Sequence, residues 1–178
     1  MPQLSTRRLL LRELHPDDHG GVHAFAADPA VTRHTDWGPN TPEDTAAFLA
    51  EAVRDAGARP RRRYTLAVVE RDRGTIAGSA ELFVVSPAHR RGELGYALAR
   101  RCWGRGYATE AARALLAFGF GPLGLHKISA TCDPDNLGSA RVLAKVGMAR
   151  EGYLRDQLLV RGVWRDRLLF AAFAAPAG

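Results

Sequence analysis

Apolar and polar residues alternate or recur along the chain in patterns that predict short strands and helices. In 107–118, Ala108, Ala111 and Leu115 keep the spacing of a helix that buries one face. Stretches such as Tyr64 to Glu70, rich in β-branched and apolar residues, favour strands. The patterns predict strands over 6–13, 64–70, 75–85, 92–99, 127–131, 151–160 and 163–173, and helices over 16–27, 42–56, 107–118 and 136–146.

Local signals mark several of these boundaries. Thr41-Pro42-Glu43-Asp44 combines an N-cap threonine, a proline at the first helical position and an acid at the third. Gly57 and Gly147 suit the ends of two helices, and Arg161-Gly162 joins the last two strands as a hairpin. The order of elements predicts one α+β domain over 1–178, with helices packed against a mostly antiparallel sheet.

Composition narrows the class of protein. The 178 residues suit one domain, and 46% apolar with 25% charged residues is typical of a globular chain. There is no apolar run of about 18 residues, and the opening MPQLSTRRLLLREL lacks a signal peptide's apolar core, so we expect a cytoplasmic protein without a membrane partner. Cys102 and Cys132 lack metal-ligand spacing and no HExxH motif occurs, so we expect buried free thiols and no metal.

Positive charge is the most unusual feature of the composition. The formal net charge of +6 favours an anionic ligand, a nucleic acid or an acidic surface. The densest basic run, Arg59-Pro60-Arg61-Arg62-Arg63, falls between predicted elements, where it is either a solvated connector or a phosphate or RNA contact. No aromatic residues interleave these arginines, which argues against a nucleic-acid partner.

A pair of glycines precedes the helix predicted over 107–118. Arg101-Cys-Trp-Gly104-Arg-Gly106 lies between a predicted strand and that helix. Glycine lets the backbone approach a ligand closely, and the first amides of a helix lack internal partners at the positive end of its dipole. This arrangement suits a pyrophosphate, and Arg101 and Arg105 add positive charge beside it. No Gly-Lys-Ser/Thr follows as in a P-loop, and Thr109 replaces the third glycine of a dinucleotide fingerprint.

The remaining phosphate-binding pattern, Gln/Arg-x-x-Gly-x-Gly/Ala, fits Arg101-x-x-Gly104-x-Gly106, and through it the chain resembles the GCN5-related N-acetyltransferases (GNAT). GELGYALARRCWGRGYATEA is similar to the cofactor strand and loop of the branch that includes the ribosomal-protein N-terminal acetyltransferases. Asn136-x-x-Ser139-Ala-Arg141 is similar to the second half of that branch. The resemblance covers nearly the whole chain. It implies the GNAT fold, a twisted sheet of about seven strands and about four helices whose central strands splay beside a β-bulge.

The resemblance implies acetyl-CoA as co-substrate. In the family, the pantetheine arm pairs with the backbone that corresponds to 96–99, and an N–H near Ala97 or Leu98 polarises the thioester carbonyl. Asn136 contacts that arm or caps the following helix, and Arg141 reaches the phosphates or lies on a solvated helix face. The implied cofactor-binding residues are Tyr96, Ala97, Leu98, Arg101, Trp103, Gly104, Arg105, Gly106, Tyr107, Ala108, Thr109, Asn136, Ser139 and Arg141.

Two residues are candidates for the catalytic proton transfers. Glu93 corresponds to the general base of the histone acetyltransferase branch, with Glu81 and Asp156 as rivals. Ser139 corresponds to a serine that protonates the departing thiolate in the ribosomal branch. Two departures are clear: Leu143 stands where many members have a tyrosine, and Leu158 where one example in the ribosomal branch has a catalytic glutamate.

The resemblance implies transfer of an acetyl group to a primary amine by direct attack in a ternary complex. The acceptor is a peptide or protein N-terminus or a small amine, and the protein is a monomer or homodimer. Candidate acceptor-binding residues are His34, Asp36, Trp37, Tyr64 and Glu81. The alternative is a non-catalytic acyl-CoA-binding regulatory module, which would bind the cofactor without turnover.

Overall fold

The computed structural model describes residues 3–175, and one eight-stranded sheet extends through them. The strand order in space is β1-β2-β3-β4-β5-β6-β8-β7, and every neighbouring pair is antiparallel except β5 and β6. The predicted α+β class with a mostly antiparallel sheet is therefore confirmed. The strands are β1 (Leu4–Ser5), β2 (Leu9–Glu13), β3 (Arg63–Glu70), β4 (Ile76–Ser86), β5 (Arg91–Leu98), β6 (Lys127–Cys132), β7 (Ala149–Val160) and β8 (Val163–Phe173).

The eighth strand arises because the first predicted strand is divided. The apolar pattern predicts one strand over 6–13, but Thr6 closes a turn by donating its backbone N–H to the Leu9 carbonyl at 2.9 Å. Leu4 and Ser5 then fold back to pair with Leu11 and Leu10. The expectation of about seven strands was thus one too low.

Within residues 3–175, five α-helices flank the sheet: α1 (His19–Ala26), α2 (Pro29–Thr32), α3 (Pro42–Gly57), α4 (Tyr107–Phe120) and α5 (Leu137–Lys145). The expected helix over 16–27 starts as a 3-10 turn, Pro16–Asp18. The single turn of α2 was not predicted, although Asp28 accepts a hydrogen bond from the Ala30 amide at 2.8 Å and Pro29 occupies the first helical position.

Helices cover both faces of the sheet. Leu66 and Leu82 belong to a core that includes Leu115 of α4. Ala67 lies on the opposite face of β3, in a second core with Phe25 of α1 and Leu49 of α3. This arrangement follows from the alternation of side chains along each strand.

The parallel pair β5–β6 forms the opening in the sheet. The two strands pair at only three positions, Arg91↔Lys127, Gly92↔Ile128 and Glu93↔Ser129. Beyond Glu93, β6 continues along β8 while β5 continues along β4, so the two strands separate. The register of β4 and β5 also shifts between Val84 and Ser86, next to the parallel pair. The splay implied by the resemblance is present, and a β-bulge is present too, but it lies at the closed end of the parallel pair rather than beside 96–99, where the resemblance put it.

The remaining features of the described chain are consistent with a folded domain. The Arg161-Gly162 turn joins β7 and β8 with φ of +50° and +78°, as a two-residue hairpin of this handedness requires. Cys102 and Cys132 are buried free thiols. Within residues 3–175, no helix is both long enough and apolar enough to cross a membrane. Arg61, from the basic run, is mostly buried, and its guanidinium forms an ion pair with Glu13.

Candidate active site

The loop before α4 has the conformation that its glycines predict. Gly104 and Gly106 have φ of +71° and +77°, in the left-handed region where glycine is favoured. No side chain from the described residues caps the N-terminus of α4, a helix of 14 residues. The first amides of this helix therefore lack a side-chain acceptor at the positive end of the helix dipole. This geometry fits a phosphate group.

A buried carboxylate fixes this loop from behind. Glu70, at the end of β3, is 0% exposed and forms an ion pair with Arg101. Thr75 and Tyr107 donate hydroxyl hydrogen bonds to it at 2.9 and 3.3 Å, and Arg105 Nη1 lies 3.4 Å from its Oε1. Burial alone would raise the pKa of Glu70, but these donors, Arg101 first, hold it below its ordinary value.

The side chains around the glycines therefore shape the loop. Arg101 also donates to the Ile76 carbonyl at 2.7 Å, so its guanidinium joins the loop to β4. Trp103 donates its indole Nε1–H to the Leu98 carbonyl at 2.8 Å, which ties the loop to the end of β5. Ala108 and Thr109 lie in the first turn of α4.

Basic side chains surround the outer end of the loop. A shallow cavity of about 480 Å³ opens beside Gly106, and its lining includes Arg7, Arg8 and Arg113. Arg8 also donates to the Arg105 carbonyl at 2.9 Å and pairs with Glu110. Arg141 lies exposed on α5. This surface is suited to the further negative charge of a nucleotide.

The splay leaves one edge of β5 without a strand partner among the described residues. From Leu94 to Leu98, β5 pairs only with β4, so the backbone groups of its other edge face the gap. An unpaired strand edge can form a ladder with an extended ligand. The edge includes Tyr96, Ala97 and Leu98, and it ends at the glycine loop. An extended ligand with a phosphate at one end therefore fits the two features together.

Two hydroxyl groups meet on the α5 side of the gap. Tyr96 Oη lies 3.1 Å from Ser139 Oγ, and burial raises the pKa of Tyr96 to about 12. Asn136 caps α5 by accepting a hydrogen bond from the Ser139 amide at 3.0 Å, so its helix-capping role is present in the structure. The Tyr96 hydroxyl was not predicted to contribute, because only the backbone of this strand was expected to function.

Two carboxyl groups lie on the other face of the sheet. Glu81 pairs in register with Gly95 and Glu93 with Phe83, so both side chains are on the face opposite α4. Partial desolvation raises the pKa of Glu93, although its side chain remains exposed. Burial also raises the pKa of Glu81, and Arg63 opposes that shift. Asp156, the third candidate base, belongs to β7 at the outer edge of the sheet, separated from β5 by β8 and β6.

The α2–α3 connection closes this face. His34 Nδ1 lies 3.6 Å from Asp133 Oδ1 at the end of β6, and Arg167 of β8 donates to the His34 carbonyl at 3.0 Å. At the hairpin tip, Arg161 donates to the Trp37 carbonyl at 3.2 Å. His34 therefore lies at the end of β6, where the splay opens, and Trp37 lies against the tip of the β7–β8 hairpin.

Tyr64, in contrast, lies on the α4 face. Its ring meets Phe118 edge to face at a centroid distance of 5.2 Å, so it does not belong to the group around His34. Three side chains in or beside the site were not singled out from the sequence: Glu70 beneath the loop, Arg167 beside His34, and the hydroxyl of Tyr96.

Comparison with known proteins identifies the family. A family model described as an acetyltransferase (GNAT) domain matches residues 8–149. YnaD of Bacillus subtilis, an uncharacterized N-acetyltransferase, is 32% identical over 94% of this chain and 95% of its own length. Spermidine N(1)-acetyltransferase of Escherichia coli K12 is 28% identical over 95% of this chain and 88% of its own length. The structure of Mycobacterium smegmatis RimJ in complex with CoA-disulfide is similar at a TM-score of 0.86, with 28% identity, and covers 97% of this chain and 88% of RimJ.

Replacing Glu70 with glutamine tests its role beneath the loop. Because Glu70 has a lowered pKa in the folded state, its contribution to stability is present above its unfolded pKa of about 4.3 and is lost as the pH falls through the folded value. We expect Glu70→Gln to lower the free energy of unfolding by about 1–3 kcal/mol at pH 7. Urea unfolding at pH 7 and at lower pH should show the difference shrink on acidification. Exposed Glu43→Gln is the control, and an equal loss in that variant would contradict the assignment.

Proposed function

The chain belongs to the GNAT acetyltransferase family and is an acetyl-CoA-dependent N-acetyltransferase, and from that premise we propose that it acetylates a primary amine by direct attack in a ternary complex. The observation that supports this most is the splay, because it puts the free edge of β5, the glycine loop and the Tyr96–Ser139 pair around one gap. The acceptor is a peptide or protein N-terminus or a small-molecule amine.

We assign cofactor binding to the β5 edge and the loop. When bound, acetyl-CoA supplies an acyl group activated as a thioester. The backbone of Tyr96 to Leu98 holds the pantetheine arm, with an N–H near Ala97 or Leu98 directed at the thioester oxygen. The amides of 104–109 hold the pyrophosphate. Arg101, Trp103 and Tyr107 hold that backbone in place through Glu70 and Leu98.

Ser139 delivers a proton to the departing sulfur. In this proposal the C–S bond breaks as the amine nitrogen bonds to the acyl carbon, and the proton passes from Ser139 Oγ to the thiolate. Tyr96 Oη is 3.1 Å from Ser139 Oγ and replaces that proton, and solvent water returns a proton to Tyr96. The raised pKa of Tyr96 keeps the phenol protonated at neutral pH, so it is available as a donor. Leu143 supplies no hydroxyl, so the hydroxyl that supports Ser139 comes from Tyr96 on the strand.

Glu93 accepts the proton that the amine loses. Its carboxyl group lies on the opposite face of the sheet from Ser139, and its pKa is raised, which is the direction that favours a general base. Glu93 lies four residues before Ala97 along β5, which is too far for direct contact with an amine at the thioester. The proton therefore passes from the amine to Glu93 through water. Glu81, on the same face, is the competing base.

Thiol release from acetyl-CoA in the presence of different amines tests the proposed function. The panel contains short peptides with Ser, Ala, Thr or Met N-termini, polyamines, free amino acids and antibiotic amines. We expect turnover with at least one class, and calorimetric binding of acetyl-CoA without any acceptor. Cofactor binding with no turnover on any class would favour the non-catalytic regulatory module.

Removing the two hydroxyl groups separates chemistry from cofactor binding. We expect Ser139→Ala to lower kcat about 100-fold and Tyr96→Phe about tenfold, while the Kd for acetyl-CoA stays the same. Ser86→Ala and Tyr64→Phe are the matched controls. An unchanged kcat in Ser139→Ala would exclude the serine as proton donor.

The pH dependence of kcat/KM identifies the base. The raised pKa of Glu93 means that activity rises with pH through that value, because only the carboxylate accepts a proton. We expect Glu93→Gln to lower kcat/KM by about 100-fold and to remove this rise, whereas Glu81→Gln keeps it. If Glu81→Gln removes the rise and Glu93→Gln does not, the base is Glu81.

A further inference from the structure

Arg167 is a buried cation with no counter-ion in the described chain. Only 5% of its surface is exposed, and its Nε has no hydrogen-bond partner within residues 3–175. Its one hydrogen bond goes from Nη1 to the neutral carbonyl of His34, and no carboxylate oxygen of that range lies within 4.0 Å of it. Buried guanidinium groups are ordinarily paired, because desolvation of an uncompensated charge is costly.

Arg61 shows what the usual arrangement looks like in this protein. It is the other arginine with a buried nitrogen that lacks a partner among the described residues, but its guanidinium forms an ion pair with Glu13. Its charge is therefore compensated within the fold. Arg167 has no such ion pair within residues 3–175, although the buried carboxyl group of Asp133, just after β6, is in register with it.

The strand register places Arg167 on the acceptor side of the sheet. Leu168 pairs with Cys132 and packs against the core beneath α4. Because side chains alternate along β8, Arg167 is on the opposite face, the face that also holds Glu93. Its hydrogen bond to His34 confirms that direction.

The same register places Arg167 level with the end of β5 near Ala97, where the thioester is proposed to bind. Glu93 is level with Ser129, so Ala97, four residues further along β5, is level with Asp133. Cys132 pairs with Leu168, so the preceding residue of β8, Arg167, is also level with Asp133. Arg167 and Ala97 are therefore at the same level of the sheet, with Asp133 at the end of β6 between them.

The acceptor side thus has opposite charges in different places. Glu81 and Glu93 supply negative charge near the start of the splay. Where the splay opens, Arg167 supplies positive charge, and Asp133 lies in register with it but has no oxygen within 4.0 Å of its guanidinium. A substrate that carries only positive charge, such as a polyamine, would meet repulsion at Arg167. A substrate with a cationic amine and a nearby anionic group could place the amine near the two glutamates and the anionic group near Arg167, so that both kinds of charge are compensated.

We propose that Arg167 binds a carboxylate on the acceptor, so that the enzyme acetylates the amine of a small amino acid. This inference rests on the proposed acetyl transfer and names its substrate class. The planar guanidinium, with Nε free, can donate two parallel hydrogen bonds to a carboxylate. The neutral carbonyl next to a peptide's N-terminal amine would accept a bond but leave the buried charge uncompensated.

A matched acceptor series tests this proposal. Thiol release from acetyl-CoA is compared for the common free L-amino acids, their carboxamides and the decarboxylated amines with the same side chains. For at least one side chain, we expect kcat/KM for the free acid to exceed that for the amide and the amine by about 30-fold or more. Peptides or polyamines that outperform every free amino acid would overturn the proposal, whatever the behaviour of the variants.

Substitution of Arg167 then tests the residue itself. We expect Arg167→Met to lower kcat/KM for the free acid about 30-fold while leaving the amide and amine nearly unaffected, with an unchanged Kd for acetyl-CoA. Arg167→Lys should retain part of the preference. Arg165→Met, which removes the same charge from an exposed position of β8, should keep the full preference. A preference for the free acid that survives in Arg167→Met would contradict the assignment.

Binding separates failure of this inference from failure of the proposed function. Free amino acids are titrated calorimetrically into the enzyme saturated with CoA, and no turnover is needed. Binding that is lost in Arg167→Met but kept in Arg165→Met would support the carboxylate site even if no acceptor were acetylated. If no free amino acid binds and none is acetylated, the proposal is wrong.

Discussion

Three register pairs between β5 and β6 join the two halves of the sheet, and the gap that opens beyond them is the constraint on which the site depends. Each strand is held by its other neighbour, β5 by β4 and β6 by β8. The unpaired edge of β5 is thereby exposed without loss of the remaining sheet. Because the helices cover opposite faces, the gap has α4 and α5 on one side and the α2–α3 connection on the other. Proton donor and proton acceptor can therefore lie on different faces of one opening.

Electrostatics organises the two ends of this gap differently. At the glycine loop, Glu70 holds Arg101 and lies near Arg105, so positive charge is fixed beneath a backbone that carries free amides. The formal net charge of +6 favours an anionic ligand over the whole surface. On the acceptor side, Glu81 and Glu93 lie near the start of the splay, and the buried guanidinium of Arg167 lies where it opens, beside Asp133. The first arrangement suits a multiply charged anion, and the second suits a zwitterion.

The parts of the site that depend on local sequence could be predicted. The left-handed glycines before α4, the caps of α3 and α5, and the hairpin turn at Arg161-Gly162 each arise within a few residues, and the structure contains all of them. The divided first strand and the turn of α2 were missed. The first strand is divided because the side chain and backbone of Thr6 form a turn that interrupts the apolar pattern. The α2 turn was missed because the Asp28-Pro29 cap starts a helix that is too short to show periodicity.

The contacts that position the chemistry could not be predicted in the same way. Glu70 and Arg101 are 31 residues apart, and Tyr96 and Ser139 are 43 apart, so nothing in the local pattern joins them. Arg167 looks like any arginine in a polar stretch until the register of β8 places it on the inner face. A lone acid at the end of the apolar strand YTLAVVE was a usable signal for Glu70, since such a residue is buried only with a partner.

Amide hydrogen exchange with and without CoA reports directly which backbone groups the cofactor covers. We expect new protection in two segments, 94–98 of β5 and 104–109 at the loop and start of α4, with little change in β7. Protection that appears elsewhere while both segments exchange as in the free protein would show that the splay between β5 and β6 is not where acetyl-CoA binds.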